Sequence, residues 1–222
     1  MTNLLFIHGG NVSGQPWNQI VQREVYIKDE KLGGKIWQQL SIYLRSLEYH
    51  VYTPTLSDEY HNNLSDHIDE MCQLIDKNCL TDIILVGHSY GGMVITGVAD
   101  RKYDDIKALV YIDAALPENS QPLFDWLKLS NFDPSTIIDG QPKAYTEQIS
   151  LKNDCVKAFY KYYIRCTQSS FGQLTALSKQ KILMHPKKWC LKEIETGHLP
   201  MATKLDWLKI FFKEIALTKQ YY

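Results

Sequence analysis

The sequence lacks the features that mark several large classes of protein. Its 222 residues contain no apolar run near the roughly 20 residues that a membrane-spanning helix needs. The first ten residues, MTNLLFIHGG, have no basic start of the kind found in a signal peptide, so none is expected. Neither charge sign is in excess, because 24 Lys and Arg stand against 25 Asp and Glu. The composition therefore indicates no nucleic-acid partner and no membrane partner.

The number and spacing of the cysteines disfavour two further classes of protein. The cysteines are odd in number and form no C-x-x-C pair: Cys72, Cys79, Cys155, Cys166 and Cys190. A disulfide framework and a zinc site are therefore not expected, and a reducing, cytoplasmic location is the simpler interpretation. We expect no metal ion and no cofactor. The chain is long enough for one hydrophobic core and short for two, so we expect one domain over residues 1–222.

The sequence does contain a regular alternation of short apolar runs and helical patterns. The apolar runs predict strands at residues 4–7, 50–53, 83–86, 108–112, 162–166 and 190–194. Apolar residues at helical spacing predict helices between them, over residues 36–47, 64–75 and 205–215. Strand–helix alternation of this kind predicts an α/β fold with a doubly wound, mostly parallel sheet.

Two segments do not fit this alternation. Residues 11–34 form a long, mostly polar insertion after the first predicted strand, and residues 116–159 form an excursion after the fourth. The second segment carries aromatic side chains: Phe124, Trp126, Phe132 and Tyr145. Both segments lie beyond the carboxyl ends of strands, where sheets of this type bind ligands.

The stretch Gly87-His88-Ser89-Tyr90-Gly91 matches the G-x-S-x-G pattern of a nucleophile elbow. In such an elbow the glycines let a strand and a helix approach closely, and the strained serine exposes its hydroxyl at the start of the helix. The pattern alone occurs by chance in roughly a few per cent of chains of this length. A glycine-rich turn without a catalytic role is therefore the alternative. The apolar strand before the motif and the helical segment after it favour Ser89 as a nucleophile.

The stretch His8-Gly9-Gly10 ends the first predicted strand. Beside a nucleophile elbow, two backbone N–H groups are needed to hold an oxyanion, and one comes from the residue after the nucleophile, here Tyr90. We expect Gly10 to supply the other N–H group, since glycine lets the backbone approach a substrate. An ordinary strand-ending turn is the alternative. His8 is interpreted as a structural residue that holds this loop by hydrogen bonds.

The stretch KEIETGHLPM places His198 in a turn just after the last predicted strand. A general base must reach Ser89 from a loop at the carboxyl edge of the sheet, and His198 is the only histidine in such a place. His88 is expected to point away from the site. The remaining histidines are expected to be solvated surface groups: His50, His61, His67 and His185.

A carboxylate is missing from the loop that usually supplies the acid of a catalytic triad, after the penultimate strand. No Asp or Glu occurs between Asp154 and Glu193. Asp113 stands at the end of the strand after the elbow, and burying its charge there is costly without a partner such as the His198 ring. We expect Asp113 to be the triad acid, the alternative being an aspartate that caps its own loop. Weaker candidates are Glu195, which is expected to extend the last strand one residue beyond 194, Asp125 and Asp154.

These stretches together resemble a group of small α/β hydrolases that includes plant methylesterases such as the methyl salicylate esterases, hydroxynitrile lyases and many bacterial esterases. The resemblance covers most of the chain: the H-G-G turn, VYTPTL at 51–56, GHSYGGMVI at 87–95, LVYIDAALPE at 109–118, YIRCT at 163–167 and TGHLPM at 196–201. It implies an α/β-hydrolase fold, a Ser–His–acid triad and a small cap formed by residues 116–159.

The chain departs from this group in ways that bear on function. Plant members carry an aspartate where this chain has Ser169 and no acid where Asp113 stands, so the two differences compensate each other. Hydroxynitrile lyases have threonine in place of Gly9 and lysine in place of Leu199, so the resemblance disfavours cyanohydrin cleavage. The insertion at 11–34 is longer than the resemblance to this group leads us to expect.

The residues and the resemblance together predict a serine hydrolase that cleaves a small or medium carboxylic ester. Ser89, His198 and Asp113 would form its triad, and the N–H groups of Gly10 and Tyr90 would hold the oxyanion. Two alternatives stay open: a small-molecule binder or sensor with slow or no turnover, and a lyase or acyl transferase that uses the same triad. No motif indicates the identity of the substrate or the oligomeric state.

Overall fold

Six parallel strands form one sheet, as the apolar runs predict. The computed structural model describes residues 2–10, 12–129, 133–136, 138–152, 156 and 158–217. The strands are β1 (Asn3–Ile7), β2 (His50–Tyr52), β3 (Ile83–His88), β4 (Ile106–Ile112), β5 (Tyr160–Cys166) and β6 (Trp189–Ile194). All six predicted strands are confirmed, with ends that differ by no more than two residues. Phe132 and Asp154, which the sequence singles out, lie outside the described residues.

Helices connect the strands and cover the sheet. They are α1 (Gly14–Val21), α2 (Gln38–Ser46), α3 (Leu64–Lys77), α4 (Gly91–Arg101), α5 (Leu123–Lys128), α6 (Lys143–Thr146), α7 (Gly172–Met184), α8 (Pro200–Thr203) and α9 (Leu205–Leu217). The three helical patterns in the sequence correspond to α2, α3 and α9. Within the described ranges, no helix is long and apolar enough to cross a membrane.

Both faces of the sheet are buried along its central strands β1, β3 and β4, which explains why these three strands read as continuous apolar runs. Side chains alternate along each strand, so Leu5 packs into the cluster with α3 and α4, whereas Leu4 and Phe6 pack into the cluster with α2 and α9. The Phe6 ring lies 5.0 Å from the ring of Phe212 on α9. The fold is therefore a three-layer α/β structure with the sheet in the middle.

The strand order β2-β1-β3-β4-β5-β6 locates the site. The chain runs outward from β1 to β2 and then crosses back, so that β3 pairs with the other side of β1. The winding reverses between β1 and β3, and ligands bind at the carboxyl edge of such a reversal. The His8-Gly9-Gly10 turn follows β1 and Ser89 follows β3, so both predicted motifs lie at this point.

The insertion after β1 folds back on itself beside this edge. Ser13 and Lys31 form an antiparallel bridge, and the Leu32 N–H group donates to the Val12 carbonyl at 2.9 Å. Trp17 of α1 is buried in the same cluster as α2 and α9. Despite its polar composition, the segment therefore contributes to the core and brings α1 close to the functional site.

Candidate active site

Ser89 lies on a sharp turn between β3 and α4 with a strained backbone. Its φ angle is 53°, in the left-handed region that residues other than glycine rarely adopt. The surrounding backbone holds this conformation: the Ser89 carbonyl accepts hydrogen bonds from the N–H groups of Gly92 at 3.1 Å and Ala115 at 3.0 Å. The strain expected of a nucleophile elbow is therefore present.

Two glycines of the G-x-S-x-G pattern are required by close backbone contacts. A Cβ atom on Gly87 would lie 2.5 Å from the carbonyl oxygen of Gly91, and one on Gly91 would lie 2.7 Å from that of Ile7. Any larger residue at either position would push α4 away from β1 and β3. The pattern thus fixes the distance between the strand that ends at the serine and the helix that follows it.

The structure brings His198 and Asp113 into direct contact. Asp113 Oδ2 lies 2.7 Å from His198 Nδ1, and Asp113 Oδ1 accepts a hydrogen bond from the Cys166 N–H group at 3.1 Å. The Asp113 side chain is fully buried, whereas the His198 side chain is 21% exposed. A carboxylate beside Nδ1 favours the tautomer with its proton on Nδ1, which leaves Nε2 as a proton acceptor.

The other carboxylates considered from the sequence are engaged elsewhere. Glu195 was expected within the last strand, which is wrong because β6 ends at Ile194. Its carboxylate accepts a hydrogen bond from Gln168 Nε2 at 3.1 Å. Asp125 lies on the surface of α5 beside Lys128, 3.8 Å away. Among the described residues, Asp113 alone has a carboxylate in contact with the His198 ring.

His88 has a positioning contact that sequence reasoning missed. Its fully buried ring donates a hydrogen bond from Nε2 to the His198 carbonyl at 2.8 Å, and the two ring centroids lie 4.5 Å apart. Burial holds the pKa of His88 well below its ordinary value, so the ring stays neutral. A histidine at the end of an apolar strand must find a partner when buried. That rule was the available signal, although it could not identify the partner.

The pH dependence of stability should report this buried histidine. Below about pH 6.5 the unfolded chain protonates His88 while the folded chain does not, so the free energy of unfolding falls as the pH falls. The slope is about 1.4 kcal/mol per pH unit until the folded pKa is reached. His88→Phe removes this contribution, and urea unfolding at pH 7.0 and 5.5 should show a smaller difference than in the wild type.

The matched control for this prediction is His185→Gln, since His185 is exposed. Its unfolding free energy should depend on pH as strongly as that of the wild type. Equal pH dependence in His88→Phe and the wild type would contradict a neutral, buried His88.

The His8-Gly9-Gly10 turn runs directly against the serine. A Cβ atom on Gly9 would lie 2.6 Å from Ser89 Cβ. As expected, His8 holds the loop: its Nδ1 donates to the Gly9 carbonyl at 2.6 Å, and its Nε2 accepts from the Leu56 N–H group at 2.9 Å. In the part of the chain that the structure describes, the N–H groups of Gly10 and Tyr90 have no hydrogen-bond acceptor. Both are available to a ligand.

The prediction that His67 is a surface group is wrong. Its side chain is buried, with Nδ1 accepting from the Tyr90 hydroxyl at 2.8 Å and Nε2 donating to the Ser57 carbonyl at 3.1 Å. Residue 67 shares the apolar face of α3 with Leu64 and Met71, a spacing that could have indicated burial. His67 thus anchors the side chain of Tyr90. The other three histidines expected at the surface are exposed: His50, His61 and His185.

A cavity of about 470 Å³ opens above the elbow. Ser89, His198 and Asp113 line it, and no hydrogen bond joins the Ser89 hydroxyl to His198 within the described residues. Such bonds are often long in enzymes without substrate. The walls are mostly apolar: Val12, Pro16, Ile20, Leu123, Trp126, Leu127, Ile138, Phe171 and Leu199. The insertion and the 116–159 segment therefore both shape the cavity, and no lysine or arginine is among its described lining residues.

A parallel sheet with a serine elbow after β3 and a histidine turn after the last strand is the arrangement of an α/β hydrolase. The chain matches the model of the alpha/beta hydrolase family over residues 4–202 and belongs to that family. The resemblance found in the sequence is thereby confirmed, and so is the fold that it implied.

Known relatives extend this comparison. The carbendazim hydrolyzing esterase of Nocardioides sp. strain SG-4G is 44% identical over 100 residues, an alignment that spans 41% of this chain and 41% of that esterase. An extracellular alpha/beta-hydrolase from a Paenibacillus species has a TM-score of 0.67 at 18% identity, covering 96% of this chain and 98% of the other. A pyrethroid hydrolase from Sphingobium faniae JZ-2 has a TM-score of 0.67 at 14% identity, covering 98% of both chains. At 18% and 14% identity, these two comparisons show that this chain shares the fold of the two solved structures.

Proposed function

We propose that this chain is a carboxylic ester hydrolase that acts through Ser89, His198 and Asp113. The observation that carries the proposal is the 2.7 Å contact between His198 Nδ1 and Asp113 Oδ2 in the cavity that also exposes Ser89. An imidazole whose Nδ1–H group donates to a buried carboxylate has Nε2 free to accept a proton from serine. The esterase relative supports the same class of reaction.

The first half of the reaction forms an acyl-enzyme. Ser89 Oγ attacks the ester carbonyl carbon while His198 Nε2 takes the serine proton, and the charge that develops on the imidazole is stabilised by Asp113. When the tetrahedral intermediate collapses, the bond to the alkoxy oxygen breaks and His198 returns the proton to the leaving alcohol. Water then attacks the acyl-enzyme by the same proton transfers and releases the acid.

The carbonyl oxygen becomes negatively charged in each tetrahedral intermediate. The N–H groups of Gly10 and Tyr90 would hold this oxyanion, since both lack other acceptors in the described structure and flank the serine. The N-terminal end of α4 lies beside Tyr90 and favours negative charge there. Removing one such donor from an enzyme typically lowers kcat by about 10²–10³-fold.

The cavity favours a neutral ester of small or medium size. Its volume of about 470 Å³ is in the range of small-molecule sites. Carboxylates contribute to its lining at Glu59 and Asp113, and the described lining residues include no cationic side chain to pair with an anionic substrate. The apolar walls suit a hydrocarbon or aromatic group.

A cytoplasmic location remains a prediction from the cysteine pattern.

A panel of three substrates tests this assignment. The enzyme should turn over 4-nitrophenyl butyrate. Its kcat/KM for 4-nitrophenyl hemisuccinate, which carries a carboxylate, should be lower by about tenfold or more. Mandelonitrile should be cleaved only at the background rate. A tenfold preference corresponds to about 1.4 kcal/mol of discrimination between the two esters. Nitrophenolate release gives kcat/KM for the two esters, and benzaldehyde release gives the rate of mandelonitrile cleavage. Faster cleavage of mandelonitrile than of either ester would place the protein among the lyases.

A further inference from the structure

The 116–159 segment places a tyrosine hydroxyl against the loop that would hold the oxyanion. Tyr145 of α6 lines the cavity together with Gly10 and Ser89. A Cβ atom placed on Gly10 would lie 2.5 Å from the Tyr145 hydroxyl oxygen and 3.4 Å from its Cζ. The hydroxyl group therefore lies directly beside the Gly10 backbone. Within the described residues it takes part in no hydrogen bond, so it is available to a substrate.

Hydrogen bonds at both ends of α6 fix the position of this tyrosine. The Ala144 N–H group donates to the Glu59 carbonyl at 3.2 Å. The Glu147 carboxylate accepts from both the N–H group of Ser65 at 2.7 Å and its hydroxyl at 2.6 Å, which ties α6 to the start of α3. The short helix is thus held in place before any substrate binds, as preorganised transition-state stabilisation requires.

The side chain itself is also constrained. The Tyr145 ring lies 4.8 Å from the ring of Tyr90, whose N–H group is the other proposed oxyanion donor, and the residue is only 3% exposed. Burial raises the pKa of Tyr145 above its ordinary value, and the nearby Glu59 carboxylate acts in the same direction. The phenol therefore keeps its proton and remains a donor at neutral pH.

We propose that the Tyr145 hydroxyl is a third hydrogen-bond donor to the oxyanion, beside the N–H groups of Gly10 and Tyr90. The inference rests on the proposed ester hydrolysis, because the oxyanion exists only if Ser89 attacks a carbonyl group. The interaction strengthens as negative charge develops on the oxygen, so its loss lowers kcat more than it changes KM. Tyr145 would then couple the 116–159 segment to the chemical step in addition to shaping the cavity.

The test compares Tyr145→Phe with Tyr103→Phe, which removes the same atom from a half-exposed tyrosine outside the cavity. With an ester that the wild type hydrolyses, Tyr145→Phe should lower kcat by about 10²-fold and leave KM within about twofold. Tyr103→Phe should retain wild-type kcat and KM. Far-UV circular dichroism and thermal unfolding check that both variants are folded.

A second readout follows the oxyanion without turnover. A trifluoromethyl ketone forms a tetrahedral adduct with an active-site serine, and its inhibition constant should rise in Tyr145→Phe by a factor similar to the fall in kcat. Wild-type kcat in Tyr145→Phe, or a change confined to KM, would overturn the role of Tyr145. The proposed function would still hold in that case if the Ser89→Ala variant is inactive. An active Ser89→Ala variant would instead overturn both.

Discussion

Replacing Ser89 by alanine should abolish ester hydrolysis. Loss of a triad nucleophile typically lowers kcat by about 10⁶-fold, and the residual rate comes from binding and the oxyanion hole. The substitution removes only the hydroxyl oxygen, and the backbone bonds that hold the elbow, from Gly92 and Ala115 to the Ser89 carbonyl, remain. The variant should therefore stay folded. Release of 4-nitrophenol and a urea unfolding curve provide the two measurements.

Ser46→Ala is the matched control for this prediction. Ser46 is exposed at the end of α2 and its hydroxyl donates only to the Tyr43 carbonyl among the described contacts. Its variant should hydrolyse the ester at the wild-type rate. A Ser89→Ala protein that is folded and retains a rate within a few-fold of the wild type cannot be reconciled with a serine nucleophile at this position.

Asp113→Asn should lower kcat by up to about 10⁴-fold. The reason lies in the partners of the two carboxylate oxygens. Because the Cys166 N–H group donates to Oδ1, the asparagine must place its amide oxygen there, and its NH₂ group then faces His198 Nδ1. That NH₂ group donates to Nδ1 and forces the imidazole proton onto Nε2. The ring can then no longer accept the proton of Ser89.

Glu195→Gln and Asp125→Asn are the controls for the aspartate, with Asp154→Asn completing the set of carboxylates considered from the sequence. Glu195 is bonded to Gln168, and Asp125 is paired with Lys128 on the surface. We expect near-normal kcat in all three. Near-normal kcat in Asp113→Asn together with a collapse in one of the others would assign the role of triad acid to that other residue.

The positions of the strands along the chain, their mostly parallel pairing and the main candidate residues could be predicted from the sequence because they depend on local patterns, whereas the order of the strands in the sheet could not. The apolar runs gave the strands, and the G-x-S-x-G spacing gave the elbow around Ser89. The contact between Asp113 and His198 followed from one geometric rule, that parallel strands end at a common edge. The absence of any carboxylate in the sequence between β5 and Glu193 made that rule informative.

The remaining features depend on contacts between distant parts of the chain. The hydrogen bond from His88 to the His198 carbonyl joins residues 110 positions apart, and no periodicity in the sequence encodes it. His67 was misassigned because a histidine within a polar stretch resembles a surface group. Its partner Tyr90 lies on another element, so the sequence around His67 does not reveal the contact. The aromatic content of residues 116–159 was evident, whereas the closeness of Tyr145 to Gly10 arises only when α6 packs on α3.

Covalent labelling tests the central claim, that Ser89 is an activated nucleophile, most directly. A fluorophosphonate probe incubated with the purified protein and followed by peptide mass mapping should modify a single residue, Ser89. Labelling should be absent in Ser89→Ala and much slower in His198→Ala, which lacks the base. No adduct on the folded wild type, or an adduct on another residue only, would contradict the account and favour a binding protein without turnover.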